Sequence, residues 1–491
     1  MDWSAIASFL GERRTVWIVA GLTTLLFAIA NLPWQLDDYD QAKQAFTSFE
    51  MVKEGHWFYQ RPNEKVATKP PLVGWLSAAL FGATRSWAIA WRLPSFAAAL
   101  ALLALLGRTA TKAYGPMSGL IAIGAFGLNM LSVRLATLVR TDMPLALIVF
   151  LLGWQIWGKL RRYQAWQTRD RVVTFILLSA AMLIKGPIVY AFLLPGIALF
   201  EWRARKTRHT VGAWSGWWPW LVSFAIFLLW VIGGILFAPH FFYEVVVREF
   251  AGRFGETMHR PQPIYFYLPH LLHKFAPWSI LGIALLILII RVERIRLREW
   301  WRHGSPEIVW LVCWSLGGLV MMSLIPSKRV DRIFPVLPPL CLLLAALYAR
   351  ALSQEKSRRR AVRWGVLALI FACLFNVAYS AVKIAGGYRQ NRAALAAFGR
   401  AVRVEAEKRS WRYEVIGGRD EGMLLYFERL HFAEPDEVIA EWKTGEINAV
   451  IAPDKERPRL LRDLEGSVPS RLRSWKSDND RVPHYIFLTR S

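Results

Sequence analysis

Apolar runs about as long as a bilayer is thick recur along most of this chain. They lie near 15–33, 87–107, 116–133, 143–158, 172–184, 187–201, 217–238, 278–291, 308–324, 333–350 and 362–383. A helix needs about 20 apolar residues to cross the hydrocarbon core. Within lipid, a spanning backbone must satisfy its own hydrogen bonds. The pattern therefore predicts a polytopic α-helical membrane protein with about eleven transmembrane helices. Composition agrees, with 55% hydrophobic residues, 20% charged residues and 25 tryptophans. The first run follows Arg13 and Arg14, is long for a signal-peptide core and precedes no A-x-A site, so it reads as a retained first span. Cys313, Cys341 and Cys373 all fall within apolar runs, and no disulfide is expected.

The net charge of +25 raises the question of nucleic acid, and its distribution answers it. With a cytoplasmic N-terminus, the inner loops are 108–115, 159–171, 202–210, 291–302 and 350–363. Together with the N-terminal tail they hold about 24 Lys and Arg against only a few acids. The positive-inside rule predicts this bias. No nucleic-acid partner is implied, and membrane lipids are. The outer side then carries the long mixed-charge loops 34–86 and 239–277, the short "RTDMP" and "SKRVDR" turns, and everything after residue 385. The expected division is a transmembrane domain over 1–384 and a soluble domain over 385–491. In the latter, "YEVIGG", "NAVIAP" and "HYIFLTR" read as strands and "AALAAFGRAVRVEAEK" as a helix, predicting a small α/β domain.

The first outer loop opens with three acids, Asp37, Asp38 and Asp40. From Asp40 onward, Ala42, Ala45, Phe46, Phe49 and Val52 recur at helical spacing until Gly55. This predicts an amphipathic helix lying at the outer membrane interface. Asp37 and Asp38 suit its N-terminal cap and dipole. One cap needs one acid, and clustered carboxylates raise one another's pKa, which makes Asp40 a candidate general base.

The stretch "DYDQAKQAFTSFEMVKEGHW" followed by "TKPPLVGW" resembles the N-terminal signature of membrane glycosyltransferases that use polyprenyl-phosphate sugars. These are the GT-C-fold relatives of the protein O-mannosyltransferases and the lipid A aminoarabinose transferase. The resemblance sets the catalytic aspartate on Asp40, with Ala45, Met51, Gly55 and Trp57 matching, Asp38 as a helper and Asp37 as a cap. "VRTDMPLAL" resembles the second acidic position, on Asp142. "MLIKGP", "APWS" and "SLIPSKRVDRIFPVLPP" resemble later family segments, the first of them containing Lys185. Gln41 and Gln44 replace the family's Glu and Tyr. Thr68 stands before Lys-Pro-Pro where the aminoarabinose enzymes have Glu.

The resemblance implies a GT-C-like bundle with an external interfacial helix, moving a sugar from a polyprenyl-phosphate donor to a lipid, glycan or protein acceptor. Lys69, just ahead of Pro70 and Pro71 where the chain re-enters the membrane, is the first candidate for the donor phosphate. Arg253, His259, Arg260, Lys328 and Arg329 are further candidates from the outer loops. The sequence shows no required cofactor. A divalent metal is conceivable but finds no support, since neither a glycine-rich nucleotide loop nor an H-x-x-x-H pair is present. The implied location is the bacterial inner membrane, with the active site and C-terminal domain periplasmic. The competing reading is a transporter or flippase of lipid-linked glycans. It predicts charged groups along a mid-membrane pathway and inverted repeats, and the sequence shows neither.

Overall fold

The computed structural model describes residues 12–36, 39–61, 66–207, 211–253, 261–294, 296–417, 421–475 and 483–490. The longer helices in the first half of the chain are α1 (Arg13–Ile29), α2 (Tyr39–Glu54), α3 (Leu72–Thr84), α4 (Leu93–Tyr114), α5 (Pro116–Gly127), α6 (Asp142–Arg162), α7 (Thr168–Lys185), α8 (Ile188–Thr207) and α9 (Trp218–Phe237). There follow α10 (Tyr267–Lys274), α11 (Trp278–Glu293), α12 (Pro306–Leu324), α13 (Leu337–Ser353), α14 (Glu355–Arg389) and α15 (Ala394–Lys408). The C-terminal part holds β1 (Tyr413–Val415), α16 (Glu421–Phe427), α17 (Pro435–Thr444), β2 (Ala449–Pro453), α18 (Arg457–Asp463), β3 (Ser467–Arg473) and β4 (Tyr485–Arg490). The chain divides into two compact units, one of 1–30, 68–73 and 92–380, the other of 31–67, 74–91 and 381–491.

Six helical segments among the described residues are long and apolar enough to cross a membrane: Leu93–Tyr114, Asp142–Arg162, Trp218–Phe237, Pro306–Leu324, Val330–Ser353 and Glu355–Arg389. The pair α10 and α11, bent by 98°, makes a seventh if it counts as one span. The other expected spans are shorter or more charged. α1 has 17 residues and α5 has 12, while α7 and α8 carry charges toward their ends. The spans differ in environment. Val330–Ser353 buries 72% of its apolar window inside the protein, whereas Trp218–Phe237 buries only 28% and exposes Leu221, Leu229, Leu236 and Phe237. The first belongs to the bundle interior and the second presents its apolar surface outward, as a lipid-facing helix does.

Close helix approach in the first unit depends on small residues. α8 and α12 meet where a Cβ on Gly317 would run into the backbone nitrogen of Gly196. Neither helix could come so near with larger residues there, which is the small-residue packing of membrane bundles. Trp310 and Trp314 of α12 stack nearby, and the Trp310 indole N–H donates to the Gly153 carbonyl at 2.9 Å.

A buried ionic contact ties two turns of this unit together. Asp331 accepts from Arg140 at 2.7 Å and from Arg134 at 3.4 Å, and both the Arg140 and Asp331 side chains are buried. Replacing Asp331 by alanine removes an acceptor common to two arginines. Breaking a buried pair from one side costs about 3–5 kcal/mol. Asp331→Ala is therefore expected to lower the Tm of the detergent-purified protein clearly, and an unchanged Tm would show that the contact contributes nothing.

The second unit contains the helix that the sequence reads as interfacial. α2 ends at Glu54, and Gly55 follows with φ +75°, the left-handed conformation that favours glycine at a helix end. Ala42, Ala45, Phe46 and Phe49 are buried as the apolar spacing requires, whereas Val52 is exposed. Gln41, Gln44, Thr47, Ser48 and Glu50 are buried too, so α2 is enclosed on more than its apolar face. Several of those polar groups have partners within the unit. The Thr47 and Ser48 hydroxyls donate back to the carbonyls of Gln44 and Ala45, and the Trp91 indole N–H donates to Ser48 Oγ at 2.9 Å. α16 packs against α2 so closely that a Cβ on Gly422 would stand 3.3 Å from Ala42 Cβ.

The same unit carries a four-stranded sheet in the order β1-β2-β4-β3, parallel between β1 and β2 and antiparallel elsewhere. Val450, Ala452, Ile486 and Leu488 form a core with Val438, Trp442 and Leu460 from the helices. β1, β2 and β4 fall on the three expected strands. β3, "SVPSRLR", was not expected, because Pro469 and two arginines disguise it. It is an edge strand with a register shift between Pro469 and Arg473, where proline is tolerated.

Candidate active site

Asp142 opens α6 and Lys185 closes α7. An acid at a helix start and a lysine at a helix end each complement their own helix dipole. The structure brings these two ends together, with Lys185 Nζ 2.5 Å from Asp142 Oδ1 and both side chains about nine-tenths buried. α7 stops at Gly186, whose φ is +72° and where a Cβ would stand 3.0 Å from the Phe227 ring. Only glycine fits that turn without strain. Pro187 follows, and α8 starts one residue later. The Lys-Gly-Pro motif is thus a device that stops one helix, starts the next and leaves an ammonium group at the junction.

That junction borders a cavity of about 320 Å³ within the first unit. Its polar lining comes from Thr68, Lys69, Lys185, Glu249, Ser327 and Arg332, and the rest includes Tyr190, Leu194, Phe227, Trp230, Phe250, Met321, Met322 and Ile325. Lys69 is followed by Pro70 and Pro71, which fix the backbone as the chain enters α3. It also lies within electrostatic range of Asp142. Glu249 and Phe250 sit in a π-helical segment, Phe242–Phe250, a wide helix that often marks functional places. The Arg332 guanidinium is oriented by Ser327, donating to its carbonyl at 2.7 Å and its hydroxyl at 3.1 Å. Three cations together with a run of aromatic and aliphatic side chains in one lining suit an anionic head with a long apolar tail.

The sequence candidates distribute as follows. Lys69 lines this cavity, and Asp142 is fixed to a second lysine of its lining. Lys328 is buried elsewhere, donating to the Gln262 carbonyl at 2.8 Å. Burial pulls its pKa below the usual lysine value. The Gln262 N–H in turn donates to the Pro326 carbonyl at 3.1 Å, so Lys328 stitches the segment around Gln262 to the 326–328 turn. Arg329 precedes the 3₁₀ turn Val330–Val336 and is not among the cavity residues. Asp40 lies in the first turn of α2 in the second unit, partly exposed. Asp37, Asp38, His259 and Arg260, and the side chain of Arg253, lie outside the described residues. Arg332 and Glu249 were not singled out from the sequence. Arg332 follows the expected Lys-Arg pair by three residues, and no local pattern distinguished it from its neighbours.

No family model matches this sequence. The undecaprenyl phosphate-alpha-4-amino-4-deoxy-L-arabinose arabinosyl transferase of Pseudomonas savastanoi pv. phaseolicola is 25% identical over 319 residues, 53% of this chain and 57% of that protein. The Shewanella sediminis protein of the same name is 24% identical over 348 residues, 69% of this chain and 60% of that protein. The chain therefore spans about three fifths of the length of these curated relatives. Among solved structures, ArnT from Cupriavidus metallidurans bound to undecaprenyl phosphate aligns over 97% of this chain and 98% of its own, with a TM-score of 0.69 at 17% identity. The chain has the GT-C fold. A more distant GT-C structure, the archaeal oligosaccharyltransferase AglB from Archaeoglobus fulgidus in complex with an inhibitory peptide and a dolichol-phosphate, aligns over 91% of this chain and 70% of its own, with a TM-score of 0.50 at 11% identity.

Proposed function

We propose that this protein is an integral-membrane glycosyltransferase that moves a sugar from a polyprenyl-phosphate donor to a lipid, glycan or protein acceptor. The observation that carries the reading is the cavity whose lining combines Lys69, Lys185 and Arg332 with a mostly aromatic and aliphatic surround. It occurs in a fold shared with a transferase solved with undecaprenyl phosphate bound. In this reading the cations hold the donor phosphate and the apolar lining takes the first isoprene units.

The chemistry follows from where charge moves. The acceptor oxygen bonds to the sugar C1 as the bond from C1 to the phosphate oxygen breaks, and the polyprenyl phosphate leaves with the electron pair. Negative charge grows on the phosphate, and preorganised cations there lower the barrier. Asp142 keeps the Lys185 ammonium in place, so that this cation need not reorganise during the reaction. The acceptor proton goes to a carboxylate, and the resemblance places that role on Asp40. The donor and an acceptor from the outer leaflet meet on the periplasmic side of a bacterial inner membrane. The N-terminus is cytoplasmic, the membrane part has eleven spans, and residues 385–491 form a periplasmic α/β domain. The charge bias of the inner loops supports this topology.

A strain lacking the gene tests the reading. Mass spectrometry of its lipids and surface glycans should show one glycosyl substituent lost and the corresponding polyprenyl-phosphate sugar accumulated. Unchanged glycoconjugates, under conditions in which the protein is made, would count against it.

A further inference from the structure

Glu50 and Glu54 lie one helical turn apart on α2, a like-charged i,i+4 pair that costs stability unless it is neutralised. Among the described residues, no lysine or arginine side chain pairs with either. The nearby Lys53 instead lies 3.8 Å from Glu428. What converges on the two carboxylates is imidazole. His56 Nδ1 stands 3.0 Å from Glu50 Oε1 and 3.3 Å from Glu54 Oε2. From a distant part of the same unit, His431 Nε2 stands 3.8 Å from Glu54 Oε1.

We propose that Glu50, Glu54 and His56 form a binding site for a divalent cation of the zinc type, with His431 placed to complete it. One ligand atom from each of the three residues lies within 4.8 Å of the other two. Tetrahedral zinc with bonds of about 2.1 Å has ligand-to-ligand edges of about 3.4 Å, so small side-chain adjustments close the set around an ion. The donor set of two carboxylates and one or two imidazoles is one that zinc accepts. Glu50 also has the support expected of a ligand. Its side chain is 2% exposed, and the Arg61 backbone N–H donates to its two oxygens at 2.7 and 2.8 Å, fixing the carboxylate plane. Glu54, His56 and His431 are open to solvent, which leaves an entry path. The ion would neutralise the acidic pair and clamp the C-terminal end of α2 to the segment around His431.

The spacing Glu-x-x-x-Glu-x-His is weak as a motif, and the fourth group lies far along the chain, so the sequence alone does not raise this site. The test uses full-length protein in detergent, with its purification tag removed and metal stripped by a chelator. Zinc titrated against a chromogenic competitor should bind with one equivalent at micromolar Kd or tighter. Glu50→Gln and the exposed-site variant His56→Ala should each weaken that equivalent at least tenfold, and His431→Ala should weaken it less. Cobalt used as a probe should give a visible absorption band that Glu50→Gln loses. Zinc uptake in the wild type no greater than in the Glu50→Gln/His56→Ala double variant would overturn the proposal. So would affinities that agree within threefold across the set.

Discussion

Lys69→Ala should lose about 10²–10³-fold in kcat, the loss seen when one preorganised donor to a developing oxyanion is removed. The proposed role puts the effect mainly in kcat, because the phosphate carries more charge in the transition state than in the bound donor. Lys185 and Arg332 remain in the cavity lining, so some activity should survive. Lys69→Arg should keep part of it, since charge is retained while the compact ammonium is replaced by a planar fork. A lysine that merely reaches for the membrane interface would leave both variants near wild type. Steady-state kinetics with a synthetic lipid donor separate these outcomes, and an alanine variant with unchanged kcat and KM would remove Lys69 from the mechanism.

Asp40→Asn should cost about 10²–10⁴-fold in turnover, the range for losing a positioned general base. The substitution keeps size and shape, so membrane insertion and Tm should stay near wild type. Activity within threefold of wild type would exclude Asp40 as the base. Asp37→Asn is the control. Asparagine caps a helix about as well as aspartate, so this variant should change neither Tm nor kcat appreciably.

Much of this was readable in advance, and the exceptions have physical causes. The spans are visible because lipid imposes a long, uninterrupted apolar run on each crossing helix. Lys69 and Asp142 stand out because prolines two or fewer residues away mark helix starts. Lys185 stands in the "MLIKGP" segment, which by itself gives it no role. Its contact with Asp142 joins residues 43 positions apart, and nothing local in the sequence reports it. Arg332 and Glu249 depend in the same way on which helix ends meet at the cavity. The enclosure of α2 also escaped the hydrophobic pattern. Gln41, Gln44 and Glu50 look like a solvated face, and they become buried because elements far along the chain, α16 among them, cover the helix. The fate of β3 teaches the same point for strands. Alternation is a signal only where one face is buried, and an edge strand with Pro469 has little of it.

The most direct test of the central claim is turnover of a defined donor by the purified protein in proteoliposomes. Undecaprenyl-phosphate sugar, supplied with an acceptor extract from the deletion strain, should be converted to free undecaprenyl phosphate and glycosylated acceptor in equal amounts. Wild-type protein should do this, and Asp40→Asn and Lys69→Ala should do so at strongly reduced rates. Donor that crosses the bilayer with its sugar still attached, or that remains intact with every acceptor fraction, would contradict the account.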